Sequence, residues 1–420
     1  KKEKSTNNED DLLKLLDDKN ISKANMANAV IYFREYFNKK SDKYVSDYAS
    51  YLFNNVMLIY VATEELEDAF RLFTILNNRG IPLTNSDILK SLNLGEITNK
   101  RLQENYGKEW EAIEEDLGID ELDRFLSYLR TILVKDKARK SILEEFEENI
   151  YKPGKLRKGE DTLKFIIEFK KVYDSVIYFE NLPPNVGNEF RNLVTIMWIG
   201  FPSTEWIPPL MSFYKKFNTT KLLEFLKLLG NKFSADWILH FTPTDRINNM
   251  NEILKQIDKT NAKNIDSLLT NAKLWEIDLK KLKEAFEDDI YGKRFAKFLL
   301  LQLEYFAINQ QTQFNNFNII SIEHILPQNP DPKSKWFKKF TIDEHESYLN
   351  KLGNLVLISR KKNSQLSNSD FDEKKKKYFN KFIDTFPNSL KIIQEKDWDS
   401  LTYQSRQKDL VKQLINHYKS

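Results

Sequence analysis

Hydrophobic positions recur along most of the chain at steps of three and four, the spacing that marks one face of a helix. From Ser22 onward Met26, Val30, Phe33 and Phe37 take those steps, with Ser22 placed to cap the helix. A second helical run ends near Asn54. The stretch VMLIYVAT, Val56 to Thr63, is apolar, β-branched and brief, and so predicts a short buried strand. Glu64 to Asn78 returns to helical spacing through Leu66, Ala69, Phe70, Phe73 and Leu76, with Gly80 where a left-handed stop needs a residue lacking Cβ. Beyond Pro82, Thr84 or Ser86 caps a further helix through Leu92.

From about Arg101 to Phe286 the pattern is nearly all helical, as in Leu122, Phe125, Leu126, Leu129, Ile132 and Leu133. Breaks fall at KPGKLRKGED, NLPPNVGN and FPSTEWIPP, each with the Pro or Gly that ends a helix. A helix is expected from Tyr291 to Ile308. Its most apolar part, Phe295 to Ile308, carries Lys297, Gln302 and Glu304, which predicts burial in protein and not in a membrane. NQQTQFNNFN follows as a polar loop. The period then changes: NIISIEHIL and GNLVLIS are β-branched and apolar, and NSDFDEKKKKYFNKF is helical again through Phe371, Lys375, Tyr378 and Phe379. The fold class predicted is mainly α, with a small α+β part at the C-terminal end.

Length and charge refine this picture. A chain of 420 residues exceeds one compact core, so two or three domains are expected. With 41% hydrophobic and 30% charged residues it reads as ordered and helix-rich. The net charge is only +3, so any attraction for nucleic acid must be local. The absence of Cys excludes disulfides, thiol catalysis and Cys-ligated zinc, and fits a reducing compartment, with cytoplasm the expected one. No secretory signal opens the chain. It begins at Lys1 and not Met, which suggests a piece of a longer polypeptide.

The chemistry lies where the period changes. Strand, long loop, strand, helix is the order of an HNH, or ββα-metal, nuclease site. Hydrolysing a phosphodiester requires a deprotonated water, a cation for the developing charge, and support for the leaving oxygen. At the end of the first strand Glu323 offers a hard oxygen ligand, and His324, adjacent but facing the opposite way, offers a base. Asn354 opens the second strand, where its amide can tie the intervening loop and keep the imidazole oriented. Asn363 follows nine positions later and would complete a Mg²⁺ or Mn²⁺ site beside Glu323. Arg360 to Lys377 carries a net charge of +4, and Lys361, Lys362, Lys374 and Lys375 are the expected phosphate contacts. Taken singly, a lone His in an apolar run, a lysine run and an Asn in a turn are each more often structural. Their ordered combination favours chemistry; His240, His345 and His417 fall outside it and read as structural.

IEHILPQ, Trp336, LGNLVLIS, KKNSQLSN and FDEKKKKY together resemble the HNH domain of GmrSD-type modification-dependent (type IV) restriction endonucleases. YGKRFAKFLLLQLEY resembles the family's helix before the first strand, and WDSLTYQSRQKDLVKQL its terminal helix, with Arg406 in the family's arginine position. DAFRLFTILNNRGIPLTNSDILK resembles the distal part of the N-terminal half, which in these enzymes hydrolyses nucleotide and senses modified DNA. Asn77, Arg79, Asp87 and Lys90 are its polar positions, with Asn77 and Arg79 as nucleotide or sensor contacts and a capped helix pair as the alternative. The family's strand-borne Asp-Gly-Gln-Gln-Arg motif and Tyr-Gln-Arg segment have no counterpart here. The expectation is thus an enzyme lacking roughly its first third, with an NTP as cofactor only if that part is joined.

The resemblance implies an endonuclease acting on double-stranded, modified phage DNA in a defence system. It implies a partial sensor/NTPase-type domain over 1–94, a helical connector over 95–262 and the nuclease over 263–420. No membrane partner is expected, and a homo-oligomer is left open. Two rivals stand beside this reading: a non-catalytic DNA-binding or scaffold subunit, and an RNA-cleaving HNH toxin.

Overall fold

The computed structural model describes residue 16 and residues 21–57, 84–310, 320–359, 368–379 and 386–419. The strand expected to run to Thr63 and the helix Glu64 to Asn78, with Asn77, Arg79 and Gly80, therefore lie almost wholly outside the described residues. What is described is mainly helical, with one two-stranded sheet. No described helix is long and apolar enough to cross a membrane.

The chain divides into two compact units, Lys1–Leu126 with Leu156–Lys164, and Ser127–Lys155 with Phe165–Ser420. The cut between 1–94, 95–262 and 263–420 concerns family modules and remains a proposal. In the first unit α1 spans Ile21–Asn38. Met26, Val30 and Phe33 stand exposed on it. The next helix, α2 (Asp42–Asn55), is capped by Ser41. Thr84 caps α3 (Asn85–Gly95): its hydroxyl accepts from the Asp87 amide at 3.1 Å while the Asp87 carboxylate accepts from the Thr84 amide at 2.9 Å. Lys90 pairs with Glu111 and Glu114. Asp87 is thus engaged in the cap of its own helix, and Lys90 in joining that helix to the one that carries Glu111 and Glu114. The long α4 (Lys100–Val134) joins two helical segments at Gly118, whose φ of +69° explains the glycine.

The second unit includes α5 (Gly187–Gly200), α6 (Ile207–Phe217), α7 (Leu222–Ile238), α8 (Pro243–Lys259) and α9 (Leu279–Glu287). The three sequence breaks all fall between helices. The buried helix expected next is present as α10 (Ala296–Ala307), but it starts five residues later than Tyr291. Gly292, at φ +80°, leaves Tyr291 to Phe295 in a turn instead. Gly200 lets α5 approach α10 closely, since a Cβ there would lie 2.9 Å from the Phe298 Cα.

The sheet pairs β1 (Ile320–His324) with β2 (Leu355–Ser359) in antiparallel register, Glu323 opposite Val356 and His324 opposite Leu355. Among the described residues three helices follow, α11 (Phe371–Phe379), α12 (Pro387–Gln394) and α13 (Ser400–Lys419). Ile325, Leu326, Trp336, Phe340, Val356, Ile358, Phe371, Ile392, Trp398 and Tyr403 form one core around the hairpin. That core fixes the strand ends. The start of β2 is also gripped by α13, because the Gly353 amide donates to Gln407 Oε1 and Arg406 Nη2 donates to the Leu355 carbonyl at 3.3 Å. A Cβ at Gly353 would lie 2.9 Å from the Tyr403 ring and 3.0 Å from Gln407. Gly353→Ala is therefore expected to destabilise the protein by about 1–3 kcal/mol through overpacking, read from urea unfolding.

Candidate functional site

Successive side chains on a strand face opposite ways, and β1 uses this at its last two positions. Glu323 turns toward α11, where its Oε1 accepts from Lys374 Nζ at 2.9 Å. The same ammonium donates to the His324 carbonyl at 2.7 Å. Both partners are buried, so Lys374 is not the surface phosphate contact expected of it. The physical reason is its phase on α11, three residues after Phe371 and on the same buried face. Burial pushes the Glu323 carboxyl above the ordinary carboxylate range, against the pull of Lys374. Lys375 also turns to protein, donating to the Glu395 carbonyl.

His324 turns to the other face. Its ring meets the Tyr291 ring edge-on at a centroid distance of 4.3 Å, and its Nε2 lies 3.4 Å from Asn350 Oδ1. The residue is 6% exposed. Burial lowers its pKa from 6.5 to about 4, with Lys374 and His345 lowering it further and Asn350 opposing. The imidazole is consequently neutral at pH 7. Asn350 is a residue that sequence reasoning missed. Its carbonyl accepts from the amides of Ile290 and Tyr291 at 2.8 and 3.0 Å, so one residue ties the Tyr291 turn to the imidazole. No motif marks it; the only signal was a polar residue four positions ahead of Asn354.

Asn354 is fully buried and spends its amide on backbone. Oδ1 accepts from the Leu326 amide at 2.7 Å, and Nδ2 donates to the carbonyls of Leu326 and Leu349 at 3.0 and 2.9 Å. It thus ties the loop between the strands, as expected of its amide. Asn363, Lys361 and Lys362 lie outside the described residues. Among the described residues no group of three or more His, Asp or Glu side chains could hold a metal ion. Of the other histidines, His345 Nε2 meets the Pro327 carbonyl at 2.9 Å and His417 Nε2 meets Asn231 Oδ1 at 2.7 Å. His240 sits at positive φ with its ring on Phe295.

No curated protein matches the chain. Two family models do: the C-terminal domain of GmrSD restriction endonucleases over residues 276–413, and the N-terminal domain of GmrSD restriction endonuclease over residues 1–94. The first span contains the hairpin, His324, Asn350, Asn354 and the Glu323–Lys374 pair, and the two spans together exceed half of the sequence. The chain belongs to the GmrSD restriction endonucleases.

Proposed function

We propose that this protein is an HNH-type endonuclease that cuts phosphodiester bonds of double-stranded DNA, modified phage DNA in particular, with a divalent cation and with His324 as general base. One observation carries the reading: a neutral imidazole at the end of a strand, tied to an amide through Nε2, with a buried carboxylate on the neighbouring residue. Since Asn350 Oδ1 can only accept, Nε2 carries the proton and Nδ1 is left to take one from the attacking water. Asn350 is a positioning residue in this scheme, and Asn354 holds the loop that brings it there.

Glu323, with Asn363, would hold the cation. The carboxylate is the hard oxygen donor such an ion takes, and the Lys374 ammonium that now holds it would have to give way to the ion. Bound Mg²⁺ or Mn²⁺ would neutralise charge developing on the phosphate. The division into sensor (1–94), connector (95–262) and nuclease (263–420), and any NTP contact through Asn77 and Arg79, belong to the same proposal.

The non-catalytic reading is favoured by one feature, the slight exposure of His324 together with the engagement of Glu323 by Lys374. Incubation with supercoiled plasmid separates the two. Nicking or linearisation in Mg²⁺ or Mn²⁺, abolished by chelator, is the expected result. DNA retarded in a gel but left intact under every metal condition would decide for the binding subunit, and cutting confined to RNA for the toxin.

A further inference from the structure

Two of the four lysines expected to hold the DNA backbone are engaged with protein: Lys374 is turned inward to Glu323, and Lys375 to a carbonyl. A groove of about 450 Å³ runs beside β1, lined by Tyr291, Gly292, Lys293, Lys297, Ser321 and Ile322. Ile322 lies two residues before His324 on the same face of the strand, roughly 6.6 Å away, and the Tyr291 ring packs on the imidazole. The groove therefore reaches Tyr291, the ring that lies against the imidazole.

Its charge is one-sided. Lys293 and Lys297 are both half-buried, and neither has a carboxylate partner among the described residues. Burial alone lowers the Lys297 pKa, as it must for an ammonium partly withdrawn from water with no counter-charge. Lys297 also sits in the first turn of α10, where the helix N-terminus favours anions. A bound phosphate would supply what this site lacks.

We infer that this groove is the track for the DNA backbone, with Lys293 and Lys297 each holding a phosphate of the strand that passes His324. The inference rests on the nuclease reading and names its substrate path. It also explains the late start of α10: a helix running from Tyr291 would lack the turn that brings Tyr291 and Lys293 to the groove.

The test is anisotropy of a fluorescein-labelled 30-base-pair duplex, titrated with protein across a salt series, with Ca²⁺ in place of Mg²⁺. Each phosphate contact contributes about 0.9 to the slope of log affinity against log salt, so Lys293→Gln/Lys297→Gln should lower that slope by about 2. Affinity should fall tenfold or more at moderate salt. Lys293→Arg/Lys297→Arg should keep the parent slope, which separates charge from misfolding, and exposed Lys255→Gln should match the parent. A Gln double variant with parental slope and affinity overturns the track, as does a parent that binds single-stranded RNA but no duplex. The plasmid assay keeps the two readings apart. A parent that nicks while the Gln variant binds as before leaves the nuclease standing without its track. A lowered slope with no nicking by the parent leaves the track and removes the nuclease.

Discussion

His324→Ala is expected to lower the rate of plasmid cutting by about 10² to 10⁴, the usual contribution of a general base. The Tyr291 turn is held independently of the ring by the Ile290 and Tyr291 amides on the Asn350 carbonyl, so circular dichroism and duplex binding should stay close to the parent's. The pH profile makes the assignment sharper. A base must be neutral to act, and with a pKa held near 4 by burial the imidazole is neutral across the physiological range. kcat/KM should therefore show no inflection from this group near 6.5, and should fall only as the pH drops through about 4. A variant that cuts at the parental rate would remove His324 from the role, whereas an acid limb centred near 6.5 would keep the base and mean that burial does not hold its pKa near 4.

Replacing Lys374 by Met is the second large effect. It leaves the Glu323 carboxylate buried without its cation, a change that costs about 3–5 kcal/mol when one partner of a buried pair is lost. Urea unfolding should show this loss, and the double variant Glu323→Gln/Lys374→Met should recover most of it because no charge is left stranded. If Glu323 is also the seat of the divalent ion, Mn²⁺ should raise the stability of Lys374→Met more than that of the parent, because it replaces the missing charge. Equal stability of parent and Lys374→Met would mean that the pair is not what it looks to be.

The helices were legible because burial imposes a period. Leu122, Phe125, Leu126, Leu129 and Ile132 are all buried as their spacing required, and Thr84 caps as a Thr before an Asn-Ser-Asp start should. Two features were less accessible. Gly292 interrupts an otherwise helical run, and only the three-dimensional fold shows the turn that results. Lys374 sits in a run of four lysines that reads as a solvated surface, yet its phase relative to Phe371 puts it on the inner face. At the site, the adjacency of Glu323 and His324 told which faces they would take, since that follows from strand geometry alone. Asn350 could not be found this way, because its role depends on a loop returning to β1 from 26 residues downstream.

The three bonds of Asn354 bear on how this region tolerates change. They fasten both ends of the excursion between the strands, at Leu326 and Leu349, independently of what lies between. Residues 328–334 within it are largely exposed. Doubling the length of such a free stretch costs only about 0.6 kcal/mol of closure entropy. New recognition segments could thus be spliced in at that point while the strand ends, and the spacing between acid and imidazole, keep their positions.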